Sequence, residues 1–199
     1  MHGELNKILN KKLQRKREEQ DNQDEKCFGY DFVESLKSCS KKRDIDKGIR
    51  IHSYVLKKGL LEKIPHLVCA LINMYAKCGM LAKAQEVLEE LPDRDVVSWS
   101  ALIAGYAEEG QVQKALCCLE CMRNEGFTPN EVTFLCILSA CGHSGLIDQA
   151  QMLFQNMEKE YGMIPSSEHH ISMIVVYGNA GHFDNAMSVI KVMPSLEYG

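Results

Sequence analysis

The sequence lacks a long apolar run, an excess of positive charge, a second cysteine pair beside Cys118-x-x-Cys121, and a glycine-rich phosphate loop. Each absence excludes something. No stretch approaches the roughly 18 apolar residues of a membrane span, so no membrane-crossing helix is expected. The formal net charge is -4, and outside the first 26 residues 16 Lys/Arg stand against 21 Asp/Glu. Broad electrostatic capture of a polyanion wants a basic surface, so any polymer bound here must be held by local groups and specific contacts. Nine cysteines without a regular framework, in a chain with no secretory signal, point to a reducing compartment and free thiols. A zinc or redox site would need a further pair or nearby histidines at ligand spacing. Cys118 and Cys121 lie in mid-helix beside Cys117 with no such partners, so no metal and no cofactor are expected.

What is present is repetition. Leu71-Ile72-Asn73-Met74-Tyr75-Ala76-Lys77-Cys78-Gly79 recurs as Leu102 to Gly110, Ile137 to Gly145 and Met173 to Gly181. The starts are 31, 35 and 36 residues apart, and a weaker copy begins at Ser35. Each glycine is followed five residues later by alanine: Ala84, Ala115, Ala150 and Ala186. Self-similarity at this period means stacked supersecondary units rather than one globular core. Within one unit, Trp99, Leu102, Ile103 and Tyr106 fall at helical spacing. Gly110 can end that helix in the left-handed conformation. Val112, Ala115, Leu116, Leu119 and Met122 form a second stripe, closed by Gly126 and Pro129. Neither helix can bury its stripe alone. The expectation is therefore an all-α fold, an α-solenoid of about five stacked helix-turn-helix repeats. Helix pairs are predicted near 66–77/81–90, 98–108/112–124, 133–142/147–160 and 168–179/183–193.

Residues 1–28 stand apart as a polar and basic segment. Leu5, Ile8, Leu9 and Leu13 share a helical face among Lys7, Lys11, Lys12, Arg15, Lys16 and Arg17. This pattern fits either an organelle-targeting helix or a solvated helix before the first repeat; Glu4 and the lack of serine favour the second.

The run Val96-Val97-Ser98-Trp99-Ser100-Ala101-Leu102-Ile103-Ala104-Gly105-Tyr106, followed by Gly110, Ala115-Leu116, Met122, Gly126 and Pro129-Asn130, resembles a pentatricopeptide repeat. The alternation of lengths resembles the plant PLS subclass. On that resemblance 29–64 is a long repeat, 65–95 short, 96–130 standard, 131–166 long and 167–198 short. The subclass often continues into C-terminal extension motifs and sometimes a DYW-type cytidine deaminase domain, and the chain ends at Gly199 before any such part. Val189, Ile190, Val192 and Met193 are then expected to lack full cover, which would suit a missing partner or truncation.

The resemblance implies single-stranded RNA as ligand, with one base read per repeat by two or three side chains. The family's readers are the fifth and last residues of a repeat, and an aliphatic residue at the second position wedges between bases. These positions are Ser100 and Asn130 with Val97 as wedge in the standard repeat, and Cys69 with Asp95 in the first short repeat. The second long repeat has Leu135 and Ser166, which cannot form a paired readout. Val33 with Ile64 and Ile171 with Tyr198 are equally mute. A Ser with Asn implies adenine; Asp95, an acceptor, suits a base with an imino N–H. Asn130 and Asp95 also stand where a residue caps the next helix, and the two roles are compatible. The implied function is a non-catalytic, sequence-selective RNA-binding adaptor in organellar RNA modification, cytidine-to-uridine editing, or processing. A separate editing enzyme or other editing factors are possible partners, and mitochondrion or chloroplast is the implied location. A tetratricopeptide-like protein scaffold keeps a 34-residue period, which the spacings oppose. A truncated, inactive repeat fragment is the remaining alternative. His2-Gly3-Glu4 matches the His-x-Glu of zinc deaminases without their Pro-Cys-x-x-Cys. His169-His170, at the start of a repeat helix, is expected to pack rather than catalyse.

Overall fold

The computed structural model describes residues 31–193; the amphipathic segment at 5–17, His2-Gly3-Glu4 and Tyr198 lie outside them. The described residues form eleven helices and no strand: α1 (31–42), α2 (Ile45–Lys57), α3 (Leu60–Lys63), α4 (Pro65–Lys77), α5 (Leu81–Glu89), α6 (Val96–Glu108), α7 (Val112–Asn124), α8 (Glu131–Ser144), α9 (Ile147–Lys159), α10 (Ser167–Asn179) and α11 (Phe183–Val192). The last four hairpins depart from the expected spans by at most two residues at any end. The short α3 is an addition, one turn inserted after Gly59.

One local device ends α4, α6, α8 and α10. Gly79, Gly110, Gly145 and Gly181 take φ between 69° and 77°, a region closed to most side chains. The amide after each glycine then donates back to a carbonyl five residues earlier: Met80 to Tyr75, Gln111 to Tyr106, Leu146 to Cys141 and His182 to Tyr177. This closing bond satisfies helix-end acceptors and turns the chain into the second helix. Five residues beyond each glycine the alanine is buried, at 0% exposure for Ala84, Ala115 and Ala150 and 7% for Ala186. A small side chain there lets the second helix press against the first.

Each first helix packs directly on the next, in the order α4, α6, α8, α10. The second helices α5, α7 and α9 meet their own first helix and the first helix of the following repeat. The first helices therefore form one continuous inner layer. Its seam holds Leu71, Ile72, Leu102, Ile103, Ile137 and Leu138, all fully buried. Polar links bridge the repeats. Tyr106 Oη donates to Gln85 at 2.6 Å, Gln151 donates to Tyr177 Oη at 2.8 Å, and Tyr75 Oη lies 2.8 Å from His52 Nδ1. Ion pairs Lys77–Glu108, Arg94–Glu125 and Arg123–Glu160 run from one repeat to the next. On α11, Phe183, Met187, Ile190 and Val192 are exposed.

A candidate nucleic-acid interface

The residues named at second, fifth and last positions gather at the N-terminal ends of the inner helices. Val97 lies in the first turn of α6 and is 56% exposed. Ser100 lies one turn deeper and is buried. Its hydroxyl is 2.6 Å from the Val96 carbonyl and 2.8 Å from Thr133 Oγ1 of the next repeat. Thr133 Oγ1 donates to Asn130 Oδ1 at 2.9 Å, and the Thr133 amide donates to the same oxygen at 2.9 Å. Ser100 and Asn130 are thus joined through Thr133.

Proton counting gives this network a direction. Ser100 and Thr133 have two hydroxyl protons for three short oxygen–oxygen contacts. One contact is always short of a proton, so the network can accept another hydrogen. Asn130 Oδ1 is committed to α8 as its N-cap. That fixes the amide orientation and leaves Nδ2, two N–H donors on a half-buried side chain, without a partner among the described residues. A donor pair and a proton-short oxygen chain side by side suit a ligand edge that presents both an acceptor and a donor.

Asp95 caps α6 in a reciprocal box. Its Oδ1 takes the Ser98 amide at 2.7 Å, and its own amide donates to Ser98 Oγ at 3.1 Å. The exposed carboxylate keeps its second oxygen open. Cys69 on α4 is half-buried; burial, and after it the negative charge of Asp95, pushes its thiol up to about 11. At neutral pH Cys69 is a protonated, weak donor beside an acceptor. Asp95 and Asn130 therefore both cap helices through one side-chain oxygen.

Leu135 and Ser166 are not brought into one network. Leu135 is half-buried in α8. The Ser166 hydroxyl stands 2.7 Å from both Glu168 Oε2 and His169 Nδ1, and the Ser166 amide donates to His169 Nδ1 at 3.2 Å. His169 then donates from Nε2 to the Glu131 carbonyl at 3.0 Å, and the His170 ring sits edge-on to Phe154. Both histidines lock α10 onto its neighbours.

Two participants lie outside the sequence-derived candidates. Thr133 is the link between the paired residues, and the Asn-x-x-Thr spacing of a helix cap was its available signal. Val132, 58% exposed, occupies the place in α8 that Val97 has in α6, 35 residues earlier.

Comparison with known proteins bears on this architecture. The model described as "PPR repeat family" matches residues 94–143, and the model described as "PPR repeat" matches 67–96, 132–161 and 170–197. An Arabidopsis thaliana pentatricopeptide repeat-containing protein designated chloroplastic is 36% identical over 159 residues, covering 80% of this chain and 18% of that protein. The Arabidopsis thaliana protein CRR2, also designated chloroplastic, is 36% identical over 162 residues, covering 81% of this chain and 24% of its own. The chain spans 18% to 34% of the length of four such relatives. Among solved structures, the pentatricopeptide repeat protein PPR10 from maize matches with a TM-score of 0.67 at 22% identity, over 84% of this chain and 25% of that one. The structure of PPR10 in complex with an 18-nt psaJ RNA element gives 0.62 at 23% identity, over 72% and 21%. The PPR domain of Arabidopsis thaliana protein-only RNase P 1, in complex with tRNA, gives 0.61 at 14% identity, over 79% and 84%. At these identities the solved structures show the fold, an α-solenoid of helix-turn-helix repeats.

Proposed function

The chain belongs to the pentatricopeptide repeat family, and from that premise we propose that it binds single-stranded RNA as a sequence-selective, non-catalytic adaptor. The Ser100–Thr133–Asn130 network carries the reading. Adenine presents an acceptor, N1, beside a donor, the N6 amino group. On this reading the N–H donors of Asn130 are offered to the first, and the Ser100 hydroxyl, backed by the buried Thr133, is offered to the second. Val97, exposed at the rim, separates this base from its neighbour. Asp95 with Cys69 forms a second position, where an acceptor carboxylate suits the imino N–H of guanine or uracil. Leu135 and Ser166 provide contact without paired readout.

Repeat lengths of 31, 35 and 36 support the PLS subclass over a 34-residue tetratricopeptide scaffold. The adaptor's role is then to mark a site on an organellar transcript for modification, cytidine-to-uridine editing, or for processing by a separate enzyme. Relatives designated chloroplastic support an organellar location. The test is a binding comparison across four RNAs that differ in one base, with the parent chain and Asn130→Asp. The substitution removes the two donors and leaves acceptors only, so preference should move from adenine toward guanine. An unchanged preference would exclude base reading by this repeat.

A further inference from the structure

Between α3 and the α5–α6 linker the first repeats leave a cleft whose lining, Asp95 apart, takes no part in the proposed base reading. Its open part, about 580 Å³, runs from Leu61 and Val68 to Asp93 and Asp95. It shares Leu61, Glu62, Leu91 and Pro92 with an inner cavity of about 140 Å³ that reaches His52 and Glu90. Four carboxylates line the two parts together: Glu62, Glu90, Asp93 and Asp95. Arg94 is the cation on the wall, and it is fully engaged. Its Nε donates to the Leu88 carbonyl at 3.1 Å, its Nη2 to the Glu89 carbonyl at 3.0 Å, and its Nη1 to Glu125 at 2.5 Å. Glu62, Glu90 and Asp93 form no ion pair with a described residue.

At the inner end His52 adds an independent observation. The side chain is 5% exposed, and its Nδ1 lies 2.8 Å from Tyr75 Oη. Nε2 is buried with no partner, which a folded chain rarely tolerates unless something fills the place. The corresponding tyrosines Tyr106 and Tyr177 use Gln85 and Gln151, so the imidazole is peculiar to this repeat. When Nδ1–H donates to Tyr75, Nε2 is left as an unsatisfied acceptor within the cavity wall.

We infer that this cleft docks a segment of a partner protein that carries lysine or arginine beside an aliphatic residue. The cation sits among Glu62, Glu90 and Asp93, the aliphatic group lies on Leu61, Val68 and Leu91, and His52 Nε2 accepts an N–H at the inner end. An RNA strand is the wrong occupant, because Glu62, Glu90 and Asp93, none of them assigned to a base, repel phosphate. A metal ion is also wrong, because no group of three His, Cys, Asp or Glu among the described residues could hold one. The inference stands apart from the adenine reading and survives its failure.

The test uses the full chain, labelled with 15N, and two capped synthetic peptides that alternate leucine with lysine or leucine with glutamate. The lysine peptide should shift the amides of Glu62, Leu91 and Asp93 and the His52 ring signals; the glutamate peptide should leave them in place. Combining Glu62→Gln, Glu90→Gln and Asp93→Asn should weaken the lysine peptide by about tenfold. Circular dichroism verifies that this variant is folded, and Asp93→Asn alone serves if it is not. Equal response to both peptides, no response, or unweakened binding by the folded variant overturns the inference. So does displacement of the lysine peptide by a short single-stranded RNA at lower concentration, or the same shifts on concentrating the chain without peptide, which would assign the cleft to a second copy.

Discussion

His52 is the residue whose chemistry differs most from its counterparts. Burial, and then the positive charge of Lys83, holds its imidazole below the usual value of 6.5, with Glu90 opposing. The unfolded chain therefore takes up the proton first as pH falls. The stability tied to neutral His52 is complete above 6.5 and is lost as pH drops toward the lower folded value. His52→Gln keeps an amide, able to donate or accept, as partner for Tyr75. Its melting temperature should match the parent near about pH 7 and fall less than the parent's toward about pH 5. Thr133→Val keeps the shape of a fully buried side chain and removes the hydroxyl joining Ser100 to Asn130. It should cost about 1–2 kcal/mol in urea unfolding and weaken discrimination at the adenine position. The thiols divide by environment. Cys117 and Cys121 are exposed, whereas burial pushes Cys118 up to about 12 and Cys141 to about 11. Alkylation followed by mass spectrometry should label Cys117 and Cys121 well before the other two.

Helix packing makes its own demands. Gly105 on α6 faces α4 so closely that an added Cβ would sit 2.7 Å from the Ala76 Cβ. Gly105→Ala must push the two helices apart, at a cost of about 1–3 kcal/mol. Gly178 on α10 has nothing within 4 Å of the same position. There the substitution should stabilise by about 0.4–1 kcal/mol through helix propensity and reduced freedom of the unfolded chain. Denaturant titration of both variants checks the pair; equal effects would contradict the close approach of α4 and α6. The helices themselves were legible because their causes are local. Apolar groups at helical phase mark each stripe, and a glycine in the left-handed conformation follows α4, α6, α8 and α10. The turn at α3 was not, because Leu60 to Lys63 is too short to show a period.

For the whole array, affinity follows from the number of readable repeats. A base stacked on a protein side chain contributes about 1–3 kcal/mol. Two readable pairs then supply roughly 2–6 kcal/mol before ordering costs, a dissociation constant around the millimolar range. The phosphate contribution is small, because acidic residues outnumber basic ones beyond residue 26 by 21 to 16. Lys77, Arg94 and Arg123 are moreover committed to ion pairs between repeats. This chain alone should therefore bind a short RNA weakly, and useful affinity should require further repeats, a partner protein or a tethered enzyme. Nanomolar retention in physiological salt would contradict this, and would mean that Leu135, Ser166 and the remaining repeats contribute contacts of their own.

The sequence by itself determined the helices, their phase and their stacking. Apolar spacing, the Gly-to-Ala interval and the cap residues act over fewer than about ten neighbours, a range that a linear pattern records. It also placed Asn130 and Asp95 at helix starts, since a cap is a local bond. Tertiary structure alone decided what those residues meet. Ser100 reaches Thr133 across 33 positions, and that distance depends on how two hairpins stack. Burial of Ser100, the partnerless Nε2 of His52 and the acidic cleft between α3 and the α5–α6 linker have the same origin. Each brings together groups remote along the chain, and no periodicity encodes the gap that packing leaves between them.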